Sequence, residues 1–278
     1  MLLMKNVLFV ASLLFFAANA KAQYYYLDIV GTKQTNQQYK LLRSFQYKRI
    51  SAISFEGNEP SKDFVLEQII SNDGRQIITR SATIGSTESF FISSYQNNRV
   101  IKTVDSSKNA INTVLYNYDN AGRLFSTTNT SEDFDGKFIS TEKHIWSYNE
   151  KGLPEKMLKI KNETDTTLMT FTFDEQDNVA EERWLKNNRS LETYYYYYNP
   201  KKQLTDVVRY NRKAKAMLPD YMFEYDAKGH ILQMTQTQKG SANYLVWKYL
   251  YNEDGMKQKE VVFNKQKEML GRIEYSYQ

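Results

Sequence analysis

Few side chains in this sequence could carry out catalysis. The chain has two histidines, His144 and His230, and no cysteine, so it offers no thiol chemistry and no cysteine-based zinc site. His230 follows a turn glycine and is expected to face solvent. Glu181 and Glu182 could form a glycosidase pair, but neighbouring residues of a strand point to opposite faces. We therefore predict no catalytic residues, no metal and no cofactor.

The segment from Ser131 to Glu142 is similar to a calcium-binding loop. It matches the spacing D-x-D-x-D-G-x5-E except that serine stands first. An EF-hand needs a helix on each side of this loop, whereas the flanking pattern here is typical of strands. The sequence therefore favours a hairpin tip at Asp135 and Gly136 over a calcium site.

Charge does not indicate a nucleic-acid partner. Lys5 and Lys21 lie in a predicted leader, so the 37 basic residues fall to 35 against 32 acids in the mature chain, a net charge of +3. Basic residues cluster around residues 201–215, where they are typical of solvated turns, with a polyanion or membrane surface as the alternative. The cluster consists of Lys201, Lys202, Arg209, Arg212, Lys213 and Lys215.

Five consecutive tyrosines, residues 194–198, are the candidate ligand-binding feature. Tyr196 and Tyr198 fall on one face of a strand, so Tyr195 and Tyr197 fall on the other. Two exposed rings on a rigid strand would form a platform for a sugar or a protein. The alternative is that both faces are covered, or that the rings pair with side chains across strands.

The first 22 residues have the composition of a cleavable signal peptide. Lys5 precedes an apolar run of about a dozen residues, short of the roughly 20 that span a bilayer. Ala20-Lys21-Ala22 is a cleavage site, so the mature chain is expected to begin at Gln23. Without cysteine it is not a lipoprotein. We predict export to the periplasm, the outer-membrane surface or the medium, with no transmembrane span in the mature chain.

A pattern of about 25 residues recurs along the chain: aromatic, any residue, aromatic, Asp or Asn, two residues, and usually Gly. The second aromatic recurs from Tyr118 at spacings of 30, 25, 25, 27, 26 and 26 residues. The structural positions that the pattern defines are Tyr116, Tyr118, Gly122, Trp146, Tyr148, Gly152, Phe171, Phe173, Tyr196, Tyr198, Phe223, Tyr225, Gly229, Tyr249, Tyr251 and Gly255.

Each unit of the pattern predicts a β-hairpin. Alternating aromatics place both rings on one face of a strand, and the Asp/Asn-x-x-Gly segment is a turn whose last residue has positive φ. The pattern weakens upstream, around Tyr95, Ile70 and Tyr47. We divide the mature chain into divergent repeats or a cap at residues 23–110 and regular hairpins at residues 111–278. No sustained apolar stripe predicts a helix after the leader.

The segment Tyr116-Asn-Tyr-Asp-Asn-Ala-Gly-Arg-Leu124 resembles the YD repeat of Rhs and teneurin-type proteins. This resemblance implies hairpins joined into a long antiparallel sheet that spirals, and we expect a short member of the family without the toxin domain of large members. The expected fold is therefore all-β: one twisted, curled, open sheet with its aromatic face on the concave side. Tyr277 would lie at the open end, so Tyr277→Ala should cost less stability than Tyr225→Ala.

Three functions remain open from the sequence. The first is a non-enzymatic protein that uses the sheet as a binding or scaffold surface for an unknown partner protein or glycan at the cell envelope. The second is a glycan-binding protein, which exposed rings such as Tyr195 and Tyr197 would favour. The third is an envelope hydrolase, which would need acidic side chains that converge in a cleft.

Overall fold

The computed structural model describes residues 24–62, 64–83, 87–106, 110–237 and 243–278. The predicted signal peptide and Gln23 lie outside the described residues. In the described part, one helix, α1 (Leu27–Ser44), precedes nineteen strands. The strands are β1 Arg49–Glu56, β2 Glu59–Pro60, β3 Val65–Ile70, β4 Gln76–Ala82, β5 Ser89–Gln96, β6 Arg99–Ser106, β7 Ala110–Tyr118, β8 Leu124–Asp133, β9 Ile139–Tyr148, β10 Pro154–Lys161, β11 Asp165–Phe173, β12 Val179–Lys186, β13 Arg189–Tyr198, β14 Leu204–Asn211, β15 Ala216–Tyr225, β16 Ile231–Thr237, β17 Tyr244–Tyr251, β18 Lys257–Phe263 and β19 Met269–Tyr277.

Eighteen of the described strands form a closed antiparallel barrel, and the two-residue β2 pairs only with the end of β1. From β3 onward each strand pairs with the next one in the chain, and β1 pairs with both β3 and β19. At the seam between β1 and β19, Ile50 lies opposite Tyr277 and Phe55 opposite Arg272. The β-sheet prediction is confirmed, but the predicted open sheet is wrong. An open sheet would leave backbone groups unpaired along two edges, whereas the ring pairs these edges with each other.

The helix α1 is a second correction, because the sequence predicts only divergent hairpins in this segment. Its buried residues, Thr32, Tyr39 and Leu42, form a sparse stripe that apolar periodicity does not reveal. A helix of this kind gains most of its stability from packing against the rest of the protein. Asp28 in the first turn and Arg43 in the last turn are placed favourably for the helix dipole.

The interior of the ring holds the core and α1. One cluster joins Tyr24 to inward-facing residues of β8 to β15, among them Trp146 and Tyr196. A second cluster joins Tyr39 and Leu42 to inward-facing residues of β1 and β3 to β6, together with Met256. The segment from Tyr24 to Leu42 therefore connects two opposite parts of the barrel wall. No helix in the described ranges is long and apolar enough to cross a membrane.

The turns between units have the predicted geometry. In the turn after β7, the N–H of Gly122 donates to the carbonyl of Asp119 at 2.8 Å, and the N–H of Arg123 donates to the Asp119 carboxylate at 2.8 Å. Gly122 has a φ of +79°, and a Cβ there would lie 2.0 Å from Nη2 of Arg99. The positive φ favours glycine, and a side chain at this position would also displace the guanidinium of Arg99. Gly152, Gly229 and Gly255 also have positive φ.

Candidate functional site

Six tyrosines in the second ring position bind the preceding unit through their hydroxyl groups. Each hydroxyl donates to the backbone carbonyl of a residue just after the preceding unit's turn, at 2.6 to 3.0 Å. The pairs are Tyr118–Val100, Tyr148–Leu124, Tyr198–Val179, Tyr225–Leu204, Tyr251–Ile231 and Tyr277–Lys257. Phe173 occupies the same position without a hydroxyl. We call these six bonds the tyrosine ladder.

The rings of both positions point into the barrel. In the first position, Trp146, Phe171, Tyr196 and Tyr249 are buried, and Tyr116 and Phe223 are half-buried. The residue after the turn often covers the ring of the next unit. The guanidinium of Arg123 lies 4.5 Å from the Tyr148 ring centroid, and the His230 ring stacks at 4.6 Å on Tyr251. His230 is therefore half-buried in the wall, where the sequence predicts exposure to solvent.

The buried carboxylate of Glu182 anchors the start of α1. Glu182 is fully buried and accepts the backbone N–H groups of Tyr25 and Tyr26 at 2.8 and 2.9 Å. The Tyr196 hydroxyl at 2.6 Å and Nε1 of Trp184 at 2.5 Å donate to the same carboxylate. Burial raises the pKa of Glu182, and these four donors partly offset the rise. The neighbouring Glu181 faces outward and pairs with Arg183.

A second polar cluster fixes α1 to β9 and β10. Nδ1 of His144 lies 2.6 Å from the Asp28 carboxylate, and its Nε2 lies 3.1 Å from Glu142. The ammonium group of Lys159 lies 2.9 Å from Glu142 and donates to the Tyr25 hydroxyl at 2.6 Å. We call Glu182 and this cluster together the α1 anchor.

The α1 anchor holds His144 as a cation. Burial alone would lower the pKa of His144, but the carboxylates of Asp28 and Glu142 outweigh it and raise the pKa to about 9. Burial would likewise raise the pKa of Glu142, yet hydrogen bonds from His144 and Lys159 lower it to about 2. Because a carboxylate lies at each ring nitrogen, His144 has no free nitrogen to act as a general base at neutral pH. The anchor is arranged for attachment of α1.

Sequence reasoning missed most of this anchor. Strand alternation correctly predicts that Glu181 and Glu182 lie on opposite faces of the strand. The alternation alone does not predict which of the two is buried. Asp28 and Tyr25 lie in a segment for which no helix is predicted. His144 shares the inward parity of Trp146 on β9, and this is the signal that could have placed it inside the barrel.

Tyr195 and Tyr197 lie on the outer face of β13, opposite in direction to the buried Tyr194 and Tyr196. Tyr197 is 53% exposed, and Tyr195 is half-buried between Glu181 and Val208 on the neighbouring strands. Further exposed side chains continue this surface across β14 and β15. We define the outer-face strip as Tyr195, Tyr197, Tyr210, Met217 and Met222.

The other sequence candidates do not converge on one site. The segment Ser131–Glu142 is the end of β8, a turn and the start of β9, and its Glu142 belongs to the α1 anchor. In the described part of the chain, no group of three or more His, Asp or Glu residues is placed to hold a metal ion.

The predicted basic cluster does not form one surface, because its residues lie before, within and after β14. Arg209 faces inward between Glu192 and Asp220, while Lys201 and Lys202 lie before the strand and Arg212, Lys213 and Lys215 after it.

The fold and the anchor together define a closed antiparallel barrel with an interior helix. No protein-family model matches the sequence, and no curated protein matches it. A solved porin-like protein from Bacteroides uniformis is similar over 84% of this chain and 98% of its own, with 9% identity and a TM-score of 0.39. A porin-like protein from Bacteroides vulgatus is similar over 82% and 97%, with 12% identity and a TM-score of 0.32.

A third solved structure, TcdB2-TccC3-Cdc42, is similar over 76% of this chain but only 15% of its own, with 12% identity and a TM-score of 0.32. Likenesses at this level carry no argument about function. The resemblance to YD-repeat proteins stays a prediction.

Proposed function

We propose that this protein is an exported, non-enzymatic binding or scaffold protein of the cell envelope or the extracellular space. The outer-face strip is its contact surface. The observation that carries the proposal is the exposure of two tyrosines, Tyr197 at 53% and Tyr210 at 49%, on one three-stranded surface. Tyr210 lies opposite Met217, and Asp206 lies between Tyr197 and Met222. Aromatic and methionine side chains are enriched in protein contact surfaces.

The α1 anchor supports a binding role over a catalytic one. Its histidine is held between two carboxylates, and its buried glutamate is occupied by four donors. These groups have no free lone pair or proton with which to serve a substrate. An envelope hydrolase, the third possibility from the sequence, would need such groups in an accessible cleft.

The basic turn at one end of the strip indicates the chemistry of the partner there, whereas the acid Asp206 lies at the other end, between Tyr197 and Met222. One end of the strip is continuous with the exposed basic turn that contains Arg212, Lys213 and Lys215. A partner protein with apolar residues beside an acidic group would complement both the strip and this turn. A glycan stacked on Tyr197 is the alternative occupant, because an exposed ring face suits a sugar.

Site-specific photo-crosslinking tests the proposal. A photoreactive phenylalanine at Tyr197 should crosslink to one defined envelope protein, and Lys213→Glu should reduce the yield. The matched control is the same probe at Phe125, an exposed aromatic residue at the start of β8. Equal crosslinking from both positions, or none from Tyr197, would contradict a protein-binding strip. Binding to a glycan array that is lost in Tyr197→Ser would instead support the glycan alternative.

A further inference from the structure

A cavity of about 80 Å³ lies inside the barrel, between α1 and the wall formed by β3 to β7. A single buried water needs about 10 to 15 Å³, so the cavity has room for several waters or for part of a small solute. It lies apart from the outer-face strip. None of its lining residues carries a charge.

The cavity exists because two units depart from the aromatic pattern. Gln68 and Ser93 stand in the first ring position, where other units have residues such as Trp146 or Phe223. The cross-strand partners change as well. Gln68 faces Thr79 and Ser93 faces Thr103, whereas Trp146 faces Met157 and Phe223 faces Met234. At these two neighbouring places in the wall, a polar side chain therefore stands where the regular units have an aromatic ring.

This replacement lines the cavity with uncharged hydrogen-bonding groups. The hydroxyl and amide side chains around it are Thr35, Gln38, Gln68, Thr79, Ser93 and Thr103. Thr79, Ser93, Thr103 and Gln68 are all buried. These groups pair with one another, as Gln68 does with Thr79 and Thr103 with the Tyr116 hydroxyl. A hydroxyl both donates and accepts, so the paired groups keep further capacity to hydrogen-bond a solute in the cavity.

Aromatic rings complete the lining, and the helix side is held firmly. Tyr39 of α1 stacks on Tyr95 with ring centroids 3.8 Å apart and an interplanar angle of 2°. The backbone N–H of Val100 donates to the Asn36 side chain at 2.8 Å, and Nε2 of Gln68 donates to Thr79 at 3.0 Å. The cavity is therefore preorganised, which lowers the entropic cost of binding a ligand.

We propose that this cavity binds a small uncharged polyhydroxylated ligand, such as a polyol or the terminal unit of a neutral glycan. Hydroxyl and amide groups satisfy the ligand's hydroxyls, and the rings pack against its C–H surface. A charged ligand is disfavoured, because no lining side chain compensates its desolvation. The α1 anchor differs from this cavity, because it carries three carboxylates, a histidine cation and Lys159.

Ligand-observed NMR with the purified mature protein tests this proposal. The probes are glucose, galactose and sorbitol, with gluconate as the charged counterpart of sorbitol. We expect at least one neutral probe to bind and gluconate to bind more weakly than sorbitol. Thr103→Val removes one cavity hydroxyl at nearly constant volume and should weaken binding about tenfold. Thr127→Val, at the equivalent position of the next unit outside the cavity lining, should leave binding unchanged.

A filling variant keeps the test decisive. Ser93→Phe restores the aromatic residue of the regular units, so it should abolish binding while far-UV circular dichroism stays as in the wild type. The proposal fails if no neutral probe binds, which would leave water as the occupant. It also fails if Ser93→Phe binds as tightly as the wild type. Should Ser93→Phe not fold, Thr103→Val against Thr127→Val still decides the outcome.

Discussion

Tyrosine and phenylalanine are not equivalent in the second ring position, because the hydroxyl reaches the preceding unit. The ring accounts for burial, and the hydroxyl satisfies a backbone carbonyl beside the turn. The sequence pattern treats both residues simply as aromatic. The tyrosine hydroxyl, which phenylalanine lacks, links each unit to the preceding unit along the tyrosine ladder.

We expect Tyr225→Phe to lower the free energy of unfolding by about 1 kcal/mol, the usual net value of one hydrogen bond. The variant removes the bond to the Leu204 carbonyl, 2.7 Å long, and retains the ring. Urea unfolding measures the change. Tyr197→Phe is the control, because this ring is exposed on the outer face, and it should change stability by less than about 0.5 kcal/mol. Equal losses in the two variants would refute a ladder contribution.

The α1 anchor should make stability depend on pH. The folded pKa of His144, about 9, lies above its ordinary value of 6.5, so its stabilising contribution is complete below pH 6.5 and is lost as pH rises through about 9. The folded pKa of Glu142, about 2, lies below its ordinary 4.5, so its contribution is present above pH 4.5 and is lost as pH falls through about 2.

In the wild type we expect the free energy of unfolding to decrease by about 3 kcal/mol between pH 6.5 and 9. His144→Gln should make this decrease much smaller. Urea unfolding at a series of pH values measures it. His230→Gln serves as the control, since His230 stacks on Tyr251 away from α1. If His144→Gln loses as much stability as the wild type over this pH range, groups other than His144 are responsible for the pH dependence.

Among the elements, α1 depends most on tertiary contacts. Its buried stripe is sparse, and its first residues are held by Glu182 rather than by a capping side chain of its own. The carboxylate lies at the helix N-terminus, where the helix dipole favours negative charge. A substitution of Glu182 in β12, far from α1 in the sequence, should therefore reduce the stability of α1.

Glu182→Gln should loosen α1. The amide keeps one acceptor oxygen and places an NH₂ group among four donors, so we expect a loss of about 2 to 4 kcal/mol. Hydrogen exchange of the Tyr25 and Tyr26 amides and of the α1 amides should accelerate. Glu181→Gln, one residue away on the outer face, should have a small effect because exposed ion pairs contribute little. Unchanged α1 exchange in Glu182→Gln would contradict the anchoring role.

The local elements of the β wall could be read from the sequence, whereas the contacts between distant segments could not. Turn chemistry and strand alternation depend on neighbouring residues, so Gly122 and the opposite faces of Tyr196 and Tyr197 follow from the pattern. The Glu182 contact with Tyr25 joins residues 157 apart, and no local signal encodes it. For the same reason the sequence does not predict α1 or the cavity at Ser93. It shows only that the repeat pattern weakens in this part of the chain.

At the scale of the whole molecule, closure removes the distinction between central and terminal units. Tyr277 lies opposite Ile50 across the seam, its ring contacts Tyr47, and its hydroxyl donates to the Lys257 carbonyl. It is therefore flanked on both sides, as Tyr225 is. The open array that the sequence predicts would have left Tyr277 with a neighbour on one side only.

We accordingly expect Tyr277→Ala and Tyr225→Ala to cost similar amounts, about 3 kcal/mol each, as large aromatic truncations in cores do. Denaturant unfolding of the two variants measures this. Both residues are half-buried and belong to the tyrosine ladder, so each is the matched control for the other. A clearly smaller loss at Tyr277 would mean that the seam contributes little to stability in solution.

The seam between β1 and β19 also bears on how the barrel folds. Every other wall pairing joins strands that are near in sequence, whereas the Ile50–Tyr277 pairing must close nearly the whole chain. The entropic cost of that long loop is met only after the intervening strands have formed, so the seam is expected to form late. Until the seam forms, the unpaired edges of β1 and β19 can pair with another chain. The pairing that is expected to form last is therefore also the one that protects the protein from edge-to-edge aggregation.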